Sequence, residues 1–231
     1  MAHAVASPGK TTILLINPNT SAGSLRMMLD IATSLVPAGV SVTGVRAACG
    51  VPMIVDEAAL RASVPEVVRL GVAGAPEAAA IVVAAFGDPG VEALRDATGL
   101  PVVGIGAASI AEAAAGGRRF GIATTTLALV RPIELLVERE CAAGFTGVRV
   151  PDGDPAELAA DPARQEQTLA RLVRDCIELD GAEAVIIGGG PLSLAARALR
   201  DQFRVEIIEP VPAAIRCVSR LLGPVGEVRP A

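Results

Sequence analysis

The sequence predicts an α/β fold made of two pseudo-symmetric parallel-sheet lobes with a cleft between them. Short runs rich in Val and Ile alternate with stretches rich in Ala and Leu, which is the pattern of strands joined by helical crossovers. Some runs are apolar at consecutive positions, for example residues 81–84, as is typical of parallel strands covered on both faces. One strand–turn–helix–strand pattern also occurs twice, which favours two lobes.

The two copies of this pattern keep the same order of elements and punctuation. They open at residues 81–89 and 185–191, where an apolar run ends in a turn that contains Gly and Pro. Both continue through Ala-Leu-Arg-Asp, at 93–96 and 198–201, to a strand and an Ala-Ala pair. The alternative is that all βαβ units look alike. The predicted lobes are residues 1–106 with 210–231, and residues 107–209.

The individual elements follow from local composition and boundary residues. Strands are predicted where β-branched runs meet Gly, Pro or Asn, at residues 12–17, 40–46, 80–85, 101–105, 119–123, 148–150, 184–188 and 205–208. Helices are predicted where Ala, Leu and charged residues fill the gaps and N-cap candidates such as Ser21 and Asp154 stand at boundaries. They cover residues 24–35, 57–71, 91–98, 109–115, 127–143, 157–180, 192–202 and 212–222.

Composition excludes several function classes. The net charge is −5 and the pI is about 5.0, which argues against a nucleic-acid partner. The chain has no Trp and no Tyr, so it offers few aromatic rings on which bases could stack. No uncharged apolar stretch is long enough to span a membrane, so we expect no membrane partner. The Gly-rich stretch 104–109 is a poor dinucleotide fingerprint, because Ser stands at its last position.

Histidine and cysteine usage restricts the chemistry further. His3 is the single histidine and lies in a segment that resembles a tail, so a Ser-His-Asp triad or a histidine metal site is not expected. Cys49, Cys141, Cys176 and Cys217 are scattered and form no CxxC pair. No hydrophobic signal region precedes them, so we expect reduced thiols and a cytoplasmic location.

Four strand-to-helix turns carry small or hydroxyl-bearing residues that could bind a ligand. Asn amides, hydroxyls and free backbone N–H groups in such turns are suited to hold an oxyanion. Local explanations remain open at each turn: an Asx turn, a helix cap by Asp88 or by the Thr run, and close packing at the glycines. The turns are 16–21, 85–90, 123–126 and 188–191, and their residues predicted to share one cleft are Asn17, Thr20, Phe86, Thr124, Thr125 and Gly190.

These turns, in this order, resemble the aspartate/glutamate/hydantoin racemase superfamily, and especially its hydantoin and allantoin racemase branch. The similarity lies in Ile-Asn-Pro-Asn-Thr-Ser, Ala-Phe-Gly-Asp-Pro-Gly, the Thr-Thr turn, the late Gly-rich turn with Pro-Leu, and Glu-Pro-Val near the C-terminus. It covers nearly the whole chain. The resemblance implies two α/β lobes around a cleft, a small-molecule substrate, and no cofactor or metal. We also expect a homo-oligomer.

The chain departs from the family at the two catalytic positions. Family racemases carry a cysteine before Phe-Gly-Asp and a second one in the late Gly-rich turn, and these two thiols exchange the substrate's α-proton on opposite faces. Here the positions are occupied by Ala85 and Gly189, which cannot carry a proton. The remaining candidates for proton transfer are Asp88, then Cys49, or bound water.

Two functions therefore remain open. The first is a cofactor-independent enzyme that holds a small carboxylate, imide or ureide in the cleft, with Ala85 and Gly189 also on its wall, and isomerises, decarboxylates or hydrolyses it. The second is a binding protein that has kept the cleft but lost catalysis. Engineered replacement of the two thiols is a third explanation of the sequence. In each case we expect little or no exchange of the α-proton of a simple hydantoin.

Overall fold

The computed structural model describes residues 11–140 and 143–223. Its strands are β1 (Thr11–Asn17), β2 (Val40–Arg46), β3 (Ala80–Val83), β4 (Val102–Gly104), β5 (Phe120–Ala123), β6 (Phe145–Arg149), β7 (Ala184–Ile187) and β8 (Glu206–Ile208). Its α-helices are α1 (Ala22–Thr33), α2 (Glu57–Ala62), α3 (Val64–Gly74), α4 (Val91–Thr98), α5 (Ile105–Ala113), α6 (Val130–Glu140), α7 (Pro155–Ala159), α8 (Pro162–Glu178), α9 (Ser193–Leu199) and α10 (Pro210–Leu222).

The strands form two separate four-stranded sheets, which confirms the predicted two-lobed α/β fold. The first sheet has the order β2-β1-β3-β4 and the second has the order β6-β5-β7-β8. Every strand pair is parallel. The two orders are equivalent, because in each sheet the strand that comes first along the chain lies between the second and the third strands of that sheet. The strand ends that carry the four turns therefore occupy corresponding places in the two lobes.

The central strands are buried along their whole length, as the continuous apolar runs indicate. All four residues of β3 and all four of β7 are buried, and so are all of β5. Residues from both sheets share one large apolar cluster, which includes Leu15, Val82, Ile122 and Ile186. Burial of side chains of this size stabilises a fold by about 1.5–3 kcal/mol each, so this shared core holds the lobes together.

Two predicted helices are each divided in the structure. The stretch 57–71 forms α2 and α3, separated at Ser63, with Pro65 in the first turn of α3. The stretch 157–180 forms α7 and α8, because Asp161 caps α8 and Pro162 occupies its first position. Proline is tolerated there because a first-turn N–H needs no partner within the helix. The predicted helix 127–143 corresponds to α6, and residues 141 and 142 near its predicted end, which include Cys141, lie outside the described residues.

Helix α5 connects the two lobes and begins earlier than predicted. Strand β4 ends at Gly104, and Ile105 already opens the helix, whereas the sequence placed its start at Ser109. Helix α5 contacts β4 of the first sheet and β7 and β8 of the second. The last helix, α10, packs on α5, α1 and strands β3 and β4. The exact lobe boundaries given above remain a prediction.

No helix in the described part of the chain is long and apolar enough to cross a membrane.

Candidate functional site

A cavity of about 80 Å³ lies where the turns of the two lobes meet. This volume exceeds the space that one water molecule requires several-fold. Turns that follow β1, β3, β5 and β7 all contribute to its wall, as expected for a ligand site at the carboxyl ends of parallel strands. The wall is formed by Asn19, Met53, Ile54, Ala84, Ala85, Phe86, Thr124, Thr125, Thr126, Leu129, Ile133, Pro155, Ala159, Gln165, Gly188, Gly189, Gly190, Pro191 and Leu192.

Six of the eight predicted binding residues lie on this wall. They are Ala85, Phe86, Thr124, Thr125, Gly189 and Gly190. Asn17 and Thr20 do not lie on it, and their role as ligand contacts stays a prediction. Asn17 is fully buried behind the wall, where its side-chain Nδ2 donates to Asn19 Oδ1 at 2.9 Å and to the Ser21 carbonyl at 3.1 Å. The first turn therefore presents Asn19 to the cavity and uses Asn17 to hold it.

Other wall residues carried no recognisable signal in the sequence. Met53 and Ile54 come from the loop after β2, and this loop is joined to the first turn because the Thr20 N–H donates to the Val51 carbonyl at 3.0 Å. Pro155 and Ala159 come from α7, and Gln165 comes from the first turns of α8. These residues reach the cavity through tertiary packing of segments that have no distinctive local motif.

The threonine turn after β5 connects two strands of the second sheet. Thr124 is buried, and its hydroxyl donates to the Gly188 carbonyl at 2.7 Å. The hydroxyls of Thr125 and Thr126 form no hydrogen bond with any described residue, although both lie on the cavity wall. One hydroxyl of the turn is therefore structural, and two are free to bind a ligand.

The glycine turn after β7 is packed tightly against the first lobe. A Cβ built on Gly190 would lie 2.7 Å from Met28 Sδ and 3.2 Å from the Ala84 carbonyl oxygen. Gly189 has φ of 155°, and a Cβ there would lie 3.2 Å from Leu192 Cδ1. Residues with side chains rarely adopt the φ of Gly189, so the backbone conformation itself favours glycine there. The short distances to a built Cβ show that the available space favours glycine as well.

Backbone N–H groups add further donors to the cavity. Those of Phe86, Thr125, Thr126, Gly189 and Gly190 donate to no acceptor within the described residues. All five residues lie on the wall. N–H groups that have no partner within the protein favour an occupant that accepts hydrogen bonds.

The wall contains no ionisable side chain among the described residues. Its polar members are the amides of Asn19 and Gln165 and the three threonine hydroxyls. General acid–base catalysis requires a group that gains or loses a proton near the operating pH and lies within hydrogen-bond reach of the reacting atom. The described part of the wall offers hydrogen bonds but no such group.

Asp88, the first candidate for proton transfer, lies outside the cavity wall. Its carboxyl oxygens accept hydrogen bonds from the backbone N–H groups of Gly106 at 2.8 Å and Ala107 at 2.6 Å, in the first turn of α5. Burial raises the pKa of Asp88 to about 7, against the lowering effect of these two bonds. The turn directs the carboxyl group of Asp88 to the neighbouring helix and not to this wall, and its role in proton transfer stays a prediction.

The described cysteines also lie away from the wall. Cys49 is exposed in the loop after β2. Cys176 is buried in the core of the second lobe, and burial raises its pKa to about 12. Cys217 is partly buried, and burial raises its pKa as well. None of these three thiols stands on the cavity wall beside Ala85 or Gly189, where the resemblance would place the reactive pair.

A metal site was not expected from the sequence. The described residues contain no group of three or more His, Cys, Asp or Glu side chains that could hold a metal ion. The wall residues themselves offer amide, hydroxyl and backbone groups, which suit an organic ligand with carbonyl or carboxylate oxygens.

Comparison with known proteins agrees with this architecture. A hydantoin racemase of Rhizobium meliloti is 33% identical over 219 residues, which cover 91% of this chain and 88% of that protein. The structure of allantoin racemase from Klebsiella pneumoniae matches with a TM-score of 0.85 at 26% identity, over 92% of this chain and 87% of that one. Unliganded arylmalonate decarboxylase shares the fold, with a TM-score of 0.64 at 23% identity over 96% of both chains.

The family model for Asp/Glu/hydantoin racemase matches residues 13–218, which include both sheets except the first two residues of β1, and all of the turns on the cavity wall. With nearly the whole described chain matched, and with the two-lobed fold in place, the chain belongs to the Asp/Glu/hydantoin racemase family.

Proposed function

We propose that this chain binds a small carboxylate, imide or ureide in the inter-lobe cavity and does not exchange its α-proton by a two-thiol route. One observation carries the proposal. The described wall combines unpartnered N–H and hydroxyl donors with a complete lack of ionisable side chains. Such a site can hold ligand oxygens, but its side chains cannot take a proton from carbon and return one.

Hydrogen-bond donors on both lobes support the choice of ligand class. Phe86 belongs to the first lobe, and Thr125 and Gly189 belong to the second. A ligand with two carbonyl or carboxylate oxygens would accept hydrogen bonds from both lobes at once. The apolar side chains of Met53 and Ile54 cover another part of the wall, so the ligand also has an apolar surface to fill.

The positions of Ala85 and Gly189 support the absence of two-thiol chemistry. Both lie on the wall of one cavity, as the resemblance to family racemases requires for the reactive pair. Racemisation through a planar carbanion needs an acid and a base on opposite faces of the carbon, each within about 3 Å of the proton that it transfers. A methyl group and a hydrogen atom occupy these two places.

A second function is enzymatic and relies on bound water for the proton. The free N–H groups would stabilise an enolate-like oxyanion. Electrostatic stabilisation of this kind is usually the largest single contribution to an enzyme's rate enhancement. Isomerisation, decarboxylation or hydrolysis would then proceed without a side-chain acid. This function requires that a bound ligand be converted, whereas the binding function requires that it leave unchanged.

The experiment measures binding and turnover on the same samples. Hydantoins, allantoin, maleate and malonate derivatives are screened for a rise in the thermal unfolding midpoint, and each ligand is then analysed by chiral separation and mass. We expect at least one ligand to raise the midpoint without conversion. Thr125→Val, which removes one free hydroxyl from the wall, should weaken that rise. If no ligand raises the unfolding midpoint, the proposal that this cavity binds such a ligand is wrong. A product of changed mass would establish the enzymatic alternative.

The proton-transfer claim has its own test. One enantiomer of a 5-substituted hydantoin is incubated with the protein in heavy water, beside a family racemase that has both cysteines. We expect the control to incorporate deuterium with inversion and this chain to show no uptake above the uncatalysed rate. Fast uptake with inversion by this chain would refute the proposal, because another pair of groups would then perform the exchange.

A further inference from the structure

The glycine turn on the cavity wall uses its carbonyl oxygens inside the protein and leaves its N–H groups free. The carbonyl oxygens of Gly188, Gly189 and Gly190 all accept hydrogen bonds from described residues, at 2.7, 3.0 and 2.7 Å. The N–H groups of Gly189 and Gly190 donate to no acceptor among the described residues. This turn therefore offers the cavity hydrogen-bond donors, while its own acceptors are already engaged.

The turns after β3 and β5 show the same asymmetry. The Ala85 carbonyl accepts from the Asp88 N–H at 3.0 Å, and the Thr126 carbonyl accepts from the Leu129 N–H at 3.1 Å. The N–H groups of Phe86 and Thr126 have no acceptor within the described part of the chain. Both lobes thus direct free backbone donors to one cavity.

The side chain of Asn19 adds a donor whose orientation is fixed by the turn after β1. Its Oδ1 accepts from the Ser21 backbone N–H at 2.9 Å and from Asn17 Nδ2 at 2.9 Å. A backbone N–H can only donate, so the atom beside Ser21 must be the amide oxygen, and Nδ2 is the other end. Asn19 is 7% exposed and lies on the cavity wall, and its Nδ2 donates to no described residue.

The Asn19 Nδ2 group is open to the cavity and not sealed inside the protein. Among the described side chains, Glu209 Oε2 is the one fully buried polar atom without a hydrogen bond. The remaining polar side chains of the wall, Thr125, Thr126 and Gln165, can each donate or accept, so they adapt to either kind of ligand. The groups with a fixed sign are the free backbone N–H groups and Asn19 Nδ2, and all of them donate.

We propose that the cavity selects a carboxylate over an imide or a ureide and that Asn19 is the side chain that sets this choice. The inference rests on the proposed function, because it narrows the ligand class of the same cavity. A carboxylate has only acceptor atoms, and several N–H donors can stabilise its charge without a cation. An imide or ureide carries ring N–H groups, which would face the fixed donors and leave both sides without a partner.

Pairs of ligands with the same shape test this selection in the unmodified protein. Malonate, methylmalonate and maleate are compared with their diamides and with hydantoin by isothermal titration calorimetry, at about pH 7, where the diacids are ionised. In a diamide, an N–H donor replaces one acceptor oxygen of each carboxylate. We expect a diacid to bind roughly tenfold or more tightly than its diamide and than hydantoin. A diamide or hydantoin that binds as tightly as the diacids would overturn the proposal.

The variant Asn19→Asp tests the role of the side chain. It keeps an oxygen that accepts from Asn17 and Ser21, but it replaces the free donor Nδ2 with an acceptor oxygen. We expect the diacid affinity to fall roughly tenfold or more, while the diamide affinity does not fall. Gln167→Glu is the matched control, because it makes the same change of amide to carboxylate at an exposed position of α8 outside the wall. It should leave both affinities unchanged.

The outcomes separate this inference from the proposed function. Equal weakening of diacid and diamide in Asn19→Asp would show that Asn19 only shapes its turn, and its role in selection would be wrong. Binding of hydantoin or allantoin with no binding of the diacids would overturn the selection of a carboxylate and leave the proposed binding function standing. If none of these compounds binds, both proposals are refuted.

Discussion

Gly104→Ala gives a direct test of how tightly the Asp88 carboxyl group is packed against the start of α5, where it accepts hydrogen bonds from Gly106 and Ala107. The new methyl carbon would lie 2.0 Å from Asp88 Cγ and 2.2 and 2.4 Å from its two carboxyl oxygens. Real carbon atoms cannot approach so closely, so the carboxyl group must leave its place. Gly104 has φ of −85° and ψ of 145°, which alanine adopts without strain. The effect of the substitution therefore reports on the contact with Asp88 and not on the backbone.

The expected loss is the sum of two contributions. Overpacking in a close-packed interior typically costs about 1–3 kcal/mol. Losing two buried hydrogen bonds from Gly106 and Ala107 adds about 1–3 kcal/mol. Gly104→Ala should therefore lower the free energy of unfolding by about 2–6 kcal/mol, a large fraction of the stability of a typical domain. Urea unfolding followed by circular dichroism measures it.

A double-mutant cycle separates this mechanism from general damage. Asp88→Ala removes the carboxyl group, so adding Gly104→Ala to that variant should cost less than about 1 kcal/mol. The control is Gly23→Ala, where the nearest atom to the new methyl group lies 3.9 Å away. If Gly104→Ala alone costs under about 0.5 kcal/mol, or if the two substitutions are additive, the tight packing of the Asp88 carboxyl group against Gly104 is refuted.

Three further predictions use the same unfolding assay. Burial raises the pKa of Asp88 from 3.8 to about 7. The free energy of unfolding should therefore fall by up to about 4 kcal/mol as the pH rises from about 4 to about 7. Asp88→Asn should lack this decline. Gly190→Ala should cost about 1–3 kcal/mol, because its methyl group would meet Met28 Sδ and the Ala84 carbonyl, and Gly23→Ala should gain about 0.5–1 kcal/mol. Equal midpoints for these two alanine variants would contradict that packing. Ala85→Cys should change stability by less than about 0.5 kcal/mol, whereas Gly189→Cys should lose about 1–3 kcal/mol at its φ of 155°. Equal losses would show that the glycine turn accepts a side chain freely.

Much of the fold was predictable because its signals are local and repeated. Strand β2 and helix α4 have the predicted bounds, since Gly39 precedes the strand and Gly90 and Gly99 flank the helix. The predicted helix boundaries were wrong where a capping residue interrupts a continuous amphipathic pattern. The stretch 157–180 has one amphipathic pattern, yet Asp161 and Pro162 stop one helix and start another. Likewise, α5 begins at Ile105 because the Asp88 carboxyl group satisfies its first N–H groups, a contact that no local pattern shows.

The sequence predicted which turns meet at the cavity, but not the direction of each side chain within them. Six predicted residues meet at one cavity because parallel strands end at one edge of a sheet. Within a turn, the direction of each side chain depends on hydrogen bonds that sequence does not show. Asn17 turns inward to hold Asn19, and Asp88 turns away to cap α5. Residues such as Met53 and Gln165 arrive from segments without a motif, so only packing could reveal them.

The two positions that the resemblance assigns to the family's cysteines, Ala85 and Gly189, differ in a way that bears on function. Ala85 lies in a backbone conformation that any residue can adopt, so a cysteine would need only space there. Gly189 has φ of 155°, and its neighbour Leu192 lies 3.2 Å from a built Cβ, so a cysteine would need a different turn. The unpartnered N–H groups of Gly189 and Gly190 belong to that same turn. The turn around Gly189 thus presents backbone donors at the place that the resemblance assigns to a proton carrier, and this arrangement favours holding a ligand's oxygen over attacking its carbon.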